Sequence, residues 1–333
     1  MGANGDKRQA RCLSMFSGGL DSMLAVCLLR ELGAHVEAVV FDSPFFNITE
    51  AKRGAAHIGV KLHVLDFFED ITGLVEDPPH GFGGNMNPCI DCHAQMVRRT
   101  GELMEELGFD CIITGEVLGQ RPMSQNRIAL DTVLNSSGYG DRLVRPLSAK
   151  LLPPTRVEEE GLLDRERLLG LSGRTRKPQM ALAAAYGITE YPAPAGGCLL
   201  TDEGFCKRLS DLMAHEGFGE RRLLQLLRVG RHMRLPGGTK CIIGRNREDN
   251  EAILAMAAVG DLVIEAVTER GPTLLLPGGA VESDDEKRAA EICVAYGAKT
   301  AAATVKVALR VNDSYRELEV TVKERDEFVG WLL

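Results

Sequence analysis

The sequence predicts an α/β protein of two domains, the first built on a parallel sheet with helices on both faces and the second smaller. Three observations predict it. In the first half, β-branched apolar runs alternate with runs of helical spacing, and parallel strands need such crossovers. A turn carrying two glycines, SGGLDS at Ser17–Ser22, joins the first strand run to the first helical run. Near Phe218 the pattern changes to several closely spaced strand runs. A chain of 333 residues also exceeds what one core usually holds. The expected division is a flexible terminus at 1–10, a first domain at 11–217 and a second at 218–333.

In order, RCLSMF reads as a short strand, SMLAVCLLREL as a helix, HVEAVVFD as a second strand, ITEAKRGAAHIG as a helix and KLHVLDF as a third strand. DPPHGFGGNMNPCIDCH is too rich in Gly, Pro and Asn for regular structure, and the helix AQMVRRTGELMEELG follows it. CIITG, Cys111 to Gly115, reads as a fourth strand and LVRPL as a fifth. A mostly helical stretch to Gly217 comes next, with two helices between Arg156 and Tyr186 separated by SGRTRKP. Beyond Phe218, TKCIIGR, DLVIEAVT, PTLLLP, TAAATVKVALRV and RELEVTV are strand runs. EDNEAILAMAA and DDEKRAAEICVAYG are helical. The first domain is thus Rossmann-like with a helical extension, and its ligands are expected outside the carboxyl ends of the strands.

Composition narrows the function classes. The chain is 44% apolar with 26% charged residues, which suits a folded globular protein. No apolar run approaches the ~18 residues of a membrane span, and MGANGDKRQA lacks a secretory apolar core, so a cytoplasmic protein without membrane contact is expected. Nine cysteines, an odd number, read as reduced thiols. Cys12, Cys27, Cys111, Cys241 and Cys293 fall in apolar runs and suit core positions. Cys89, Cys92 and Cys198 do not. The net charge of −8 opposes nonspecific nucleic-acid binding, yet from Arg221 to Arg247 there are eight Lys/Arg and no Asp/Glu. A basic run on an acidic chain marks a localised polyanion site or a solvated helix and strand face.

A strand, a short glycine turn and a helix present outward backbone N–H groups at the positive end of a helix dipole, a seat for phosphate. Gly18 and Gly19 allow close approach, and Ser17 and Ser22 add hydroxyls. Asp21 in the middle of an anion site suggests Mg²⁺ bridging to phosphates, or a first-turn helix acid. The turn is neither a Walker loop nor a GxGxxG fingerprint. It resembles the PP-loop, SGGxDS, of the ATP pyrophosphatase superfamily, the adenine nucleotide alpha hydrolase type of fold. That resemblance implies that the loop grips the pyrophosphate end of ATP and that Asp42 and Gly115, ending the second and fourth strands, border the adenosine.

NPCIDCH holds a CxxC, shared by zinc, redox and iron–sulfur sites. No second pair at zinc-ribbon spacing exists, and the overlapping CxxCH haem pattern conflicts with the missing export signal. Cys198 follows YPAPAGG, where Pro192, Pro194, Gly196 and Gly197 suggest a tight turn. The loop, the NPCxxC segment and the GGC turn together resemble the tRNA-thiolating PP-loop enzymes, the 2-thiouridine and 4-thiouridine synthase (thiouridylase-like) group, over about Arg11 to Lys207. TGEVLGQRPMSQ and GRTRKPQMALAAAYGITEYPAPAGGCLLTD are typical of one branch. The resemblance implies that Cys89, Cys92 and Cys198 hold a 4Fe-4S cluster with one iron open to sulfide. The cluster-free form uses Cys198 and one CxxC thiol as a persulfide and resolving pair.

The same resemblance implies the reaction: ATP and Mg²⁺ adenylate a uracil carbonyl oxygen, pyrophosphate leaves, and sulfur from sulfide or a persulfide carrier displaces AMP. Arg121, Arg174, Arg176 and Lys177 are candidate clamps for ATP or RNA phosphates. The target base must leave its stack, which demands a grip on flanking tRNA. RVGRHMRLPGGTKCIIGRNREDN is similar to the NFACT-R type of domain associated with RNA binding, with Arg228, Arg231, Arg234, Lys240, Arg245 and Arg247 as phosphate contacts. The alternatives are a PP-loop ligase or amidotransferase, sulfur transfer to a small molecule, and a non-catalytic RNA-binding sensor.

Overall fold

The computed structural model describes residues 8–193, 198–297 and 300–333. The chain divides into two compact units, Met1–Thr201 and Asp202–Leu333. Residues 8–10 are already tied to the fold, since Arg8 pairs with Asp110, Gln9 Nε2 donates to Gly33 O at 2.9 Å and Ala10 O accepts from His35 N at 2.8 Å.

The first unit runs β1 (Arg11–Met15), α1 (Leu20–Glu31), β2 (His35–Asp42), α2 (Thr49–His57), β3 (Leu62–Asp66), α3 (Phe68–Glu76), α4 (Cys89–Leu107), β4 (Cys111–Thr114), α5 (Arg127–Ser137), β5 (Leu143–Val144), α6 (Arg156–Glu159) and α7 (Lys177–Ala185). Its sheet has the order β3-β2-β1-β4-β5, every neighbour parallel. β1 is central and covered on both faces, so its middle residues Cys12, Leu13 and Ser14 are fully buried and its sequence does not alternate. Because the chain goes from β1 outward to β2 and β3 and then crosses to β4, the crevice of this sheet opens between the ends of β1 and β4.

Two local differences from the sequence expectation matter for the site. Helix α4 starts at Cys89, not after His93, so the CxxC pair lies in its first turns. Pro88 precedes it, Cys92 N bonds to Pro88 O at 2.8 Å, and the first-turn acid Asp91 accepts from His80 N at 3.0 Å, tying the Gly-rich insertion to the helix. The first of the two helices expected after Arg156 shrinks to one turn plus a 3-10 turn at Arg165–Arg167, because Gly161 at φ 71° ends it.

The second unit runs α8 (Glu203–His215), α9 (Arg221–Leu226), β6 (Arg231–Arg234), β7 (Lys240–Ile243), α10 (Arg247–Met256), β8 (Leu262–Ala266), β9 (Leu274–Leu276), α11 (Ser283–Ala295), β10 (Thr304–Val311) and β11 (Ser314–Thr321). All its strand pairs are antiparallel, in the order β11-β10-β8-β9-β7-β6. Helix α11 closes the core over Leu262, Ile264, Leu276 and Val307. Helix α8 belongs to this unit, although the expected boundary at 217/218 lies after it.

Candidate functional site

Ser17–Ser22 occupies the turn between β1 and α1, at the sheet's crevice. Gly18 has φ +75° and lies against the backbone of Glu50 in α2, so a side chain there would meet both a left-handed backbone and a wall. Gly115, just past β4, packs on the opposite flank, where a Cβ would stand 2.5 Å from Asp21 C and Ser22 N. The loop is thus clamped backbone to backbone. Gly19 N meets Ser17 Oγ at 3.3 Å, while the Ser22 hydroxyl donates to Gly19 O at 2.8 Å and has its proton engaged. Of the two serines only Ser17 is exposed. Asp42 closes β2 at the same end of the sheet, its carbonyl accepting from Phe67 N at 3.0 Å.

Asp21 receives Gln120 Nε2 on Oδ2 at 2.7 Å. Burial raises its carboxyl above the ordinary value, against the Gln120 hydrogen bond, the charges of Arg176 and Arg121 and a weaker hydrogen bond from Gln179. Arg176 therefore stands within electrostatic reach of the loop, whereas Arg174 and Lys177 are exposed. Arg121 acts on Asp21 and also on Cys89. One guanidinium thus lies in range of both the loop and the CxxC pair.

Burial alone would push the Cys89 thiol up, but a hydrogen bond and charge from His93, with Ser124 and Arg121, hold it below the ordinary value. His93 sits one turn along α4. Burial would lower its pKa, but the Cys89 sulfur and the Glu116 carboxylate push it up to about 10. Its Nδ1 lies 3.1 Å from Glu116 Oε1, and Arg145 Nε donates to Glu116 Oε2 at 2.8 Å. Burial would raise Glu116, yet Arg145 and His93 drive it far below the ordinary carboxylate value. Glu116 directly follows Gly115, so the exit of β4 carries both the wall of the loop and the support of Cys89.

Cys92 is buried and its thiol is pushed well up, first by burial and then by Cys198 and Cys89. That electrostatic effect puts Cys198, far along the chain, in the neighbourhood of Cys92. Leu199 N bonds to Phe45 O at 3.1 Å, and Asn85 Nδ2 to Thr201 O at 2.8 Å, fastening this segment to the insertion before α4. Pro194, Gly196 and Gly197 of the expected turn lie outside the described residues.

His93, Glu116, Gln120, Gln179 and Arg145 have no catalytic or binding role assigned from the sequence. Glu116 had a signal, a carboxylate directly after a strand-end glycine. His93 stood inside a motif read only for haem. Among the described residues no group of three His, Cys, Asp or Glu side chains is arranged to hold a metal ion. Three neighbouring thiols, one of them thiolate-prone and one held protonated, suit sulfur-transfer chemistry.

In the second unit the basic candidates separate. Lys240, 6% exposed, pairs with Asp211, and Arg234 forks onto Asp211 and Glu216 at 2.7 Å each. Both hold the fold together and neither presents a free cation to RNA. Arg245 pairs with Asp249 and Arg247 with Glu251, each at 2.6–2.7 Å, on the surface. Arg228 and Arg231 are exposed without an ion pair among the described residues, Arg231 lying 5.6 Å from the centre of the Tyr296 ring.

Residues 7–147 match the family model of the thiamine biosynthesis protein ThiI. Residues 230–332 match that of the NFACT protein RNA binding domain. A probable tRNA sulfurtransferase of Anoxybacillus flavithermus is 29% identical over 119 residues, 33% of this chain and 29% of that protein's length. Among solved structures, a 4-thiouridine synthetase–RNA complex with bound ATP superposes at TM-score 0.36, with 18% identity over 54% of this chain and 52% of its own. A "predicted subunit of tRNA methyltransferase" from Methanocaldococcus jannaschii superposes at TM-score 0.35, with 16% identity over 53% of this chain and 74% of its own. Both structures are distant, and neither bears on the function of this chain. No helix of the described residues is long and apolar enough to cross a membrane.

Proposed function

We propose that this chain, a ThiI-type segment followed by an NFACT-R-type domain, is a cytoplasmic ATP-dependent tRNA sulfurtransferase that replaces a uridine carbonyl oxygen with sulfur. The observation that carries the reading is the shared exit of β4. There Gly115 packs on the loop at Asp21 while Glu116 holds His93, the partner of Cys89. Activation at phosphorus and delivery of sulfur must occur on one bound base, and the common support of the loop and Cys89 at the end of β4 favours a single crevice for both.

In the first step the loop N–H groups and Arg176 bind ATP phosphates, the uracil oxygen attacks the α-phosphorus, and pyrophosphate leaves. Asp21 would hold Mg²⁺, which supplies charge neutralisation on the leaving group. In the second, a persulfide on one of Cys89 and Cys198 attacks the activated carbon and AMP departs. The other thiolate then attacks the Sγ of the cysteine that carried the persulfide, breaking its bond to the transferred sulfur, which leaves on the base; the resulting Cys89–Cys198 disulfide must be reduced by an external thiol. His93 stabilises the Cys89 thiolate throughout. In this form a persulfide carrier supplies the sulfur, since it delivers sulfur already at the persulfide level; free sulfide is the source in the cluster form. A 4Fe-4S cluster on Cys89, Cys92 and Cys198 is the second reading, favoured by the convergence of three thiols and disfavoured by the lack of a metal-holding group.

Arg228 and Arg231 are the RNA contacts proposed for the second unit, with Arg245 and Arg247 once their helical carboxylate partners release them. The test is incubation of unmodified tRNA with ATP, Mg²⁺ and sulfide or a persulfide carrier, followed by mass spectrometry of the digested nucleosides. A thiolated uridine is expected. Its absence, with folded protein and several tRNAs tried, would defeat the reading.

A further inference from the structure

Three polar atoms around Asp21 are buried without a partner: Asp21 Oδ1, Gln179 Oε1 and Arg176 Nε. Native proteins leave few such atoms, because each forfeits hydration for nothing. Gln179 is 1% exposed and sits in α7, well outside the residues that match the ThiI family. Its Nε2 donates to Gln120 Oε1 at 3.1 Å, and Gln120 Nε2 donates to Asp21 Oδ2 at 2.7 Å.

The orientation of both amides is forced. Gln120 must turn its NH₂ to the carboxylate, so its oxygen faces Gln179, which must answer with its own NH₂. Flipping either amide sets oxygen against oxygen. The orphaned Gln179 Oε1 is therefore a consequence of the chain of bonds, and the same amide interacts with the Asp21 carboxylate, whose Oδ1 accepts no well-formed hydrogen bond. Two oxygens without a well-formed hydrogen bond, one of them anionic, call for a hard cation. Arg176, one helical turn before Gln179, keeps a donor for an anion next to it.

Resting on the ATP reading above, we propose that Gln179 and Asp21 are ligands of the divalent cation that accompanies the nucleotide, and that Gln120 is the positioning residue that orients both. The cation binds Asp21 Oδ1 and Gln179 Oε1 and takes its remaining oxygens from phosphate and water. Nucleotide supplies those phosphates, so cation and nucleotide bind together.

The test uses the full chain, Mn²⁺ followed by electron paramagnetic resonance, and α,β-methylene ATP, whose scissile position cannot be cleaved. Wild type should retain Mn²⁺ tightly only with the analogue present. Gln179→Met should weaken Mn²⁺ retention about tenfold or more, as loss of a coordinating or supporting group does, while analogue affinity in EDTA stays unchanged. Gln120→Leu should weaken Mn²⁺ retention in the direction of Gln179→Met, and carries the test should that variant not fold. Mn²⁺ retention by Gln179→Met and Gln120→Leu equal to wild type overturns the assignment and leaves the ATP reading standing. Failure of wild type to bind the analogue, with or without Mn²⁺, overturns the ATP reading and the cation site with it.

Discussion

A Cβ added to Gly115 would stand 2.5 Å from the carbonyl carbon of Asp21. The exit of β4 and the first turn of α1 touch through their backbones, so Gly115 sets where the Ser17–Ser22 loop lies. Gly115→Ala must shift one of the two segments. A displacement near 1 Å at a reacting centre costs on the order of 10²-fold in rate. Pyrophosphate release should fall accordingly. Gly73→Ala, in α3 with nothing within 4 Å of its Cβ, should leave that rate alone.

Cys89 and Cys92 should differ in reactivity although they share a helix turn. His93 lowers the one and burial raises the other. Limited alkylation by iodoacetamide at neutral pH, read by peptide mass spectrometry, should label Cys89 first. His93→Asn should slow that labelling by about tenfold for each unit the thiol rises. Equal labelling of the two cysteines in wild type would refute the assignment.

The His93–Glu116 pair also predicts a pH dependence of stability. His93 has a folded value of about 10 against an ordinary 6.5, so its contribution is complete below pH 6.5 and disappears as pH rises through 10. Glu116 has the opposite sign: its depressed value gives stability above the ordinary carboxylate range that is lost in acid. The Tm difference between wild type and His93→Asn should therefore be largest near pH 6 and shrink steadily toward pH 10. A difference that grows with pH over that range would contradict the pairing.

In the second unit, Lys240→Met strands part of the buried Asp211 carboxylate, which Arg234 still holds. The expected loss is as much as ~3 kcal/mol in urea unfolding, with little specific effect on RNA. Arg231→Ala should do the reverse. Stability should stay put while log affinity for tRNA against log salt loses about one unit of slope. Loss of RNA binding by folded Lys240→Met would show that this lysine reaches the RNA after all.

The parallel sheet was legible because β1, β2 and β4 are largely buried and read as mostly apolar runs, and because SGGLDS interrupts strand and helix where a crevice must lie. Cys198 could be associated with Cys89 and Cys92 through the motif pattern alone. His93, Glu116 and Gln179 escaped because each is a single polar residue whose meaning comes from a partner far along the chain. The basic run from Arg221 to Arg247 misled in a different way. Charge in sequence does not tell that Arg234 and Lys240 turn inward to Asp211, since that carboxylate arrives from α8.

The most direct measurement of the shared crevice is the ratio of pyrophosphate released to thiolated uridine formed in one reaction mixture, compared between wild type and Cys198→Ala. Wild type should give equal amounts of both. Cys198→Ala should still release pyrophosphate in the presence of tRNA yet form no thiolated uridine. Undiminished thiolation by that variant, or thiolation by wild type without pyrophosphate release, would contradict the account.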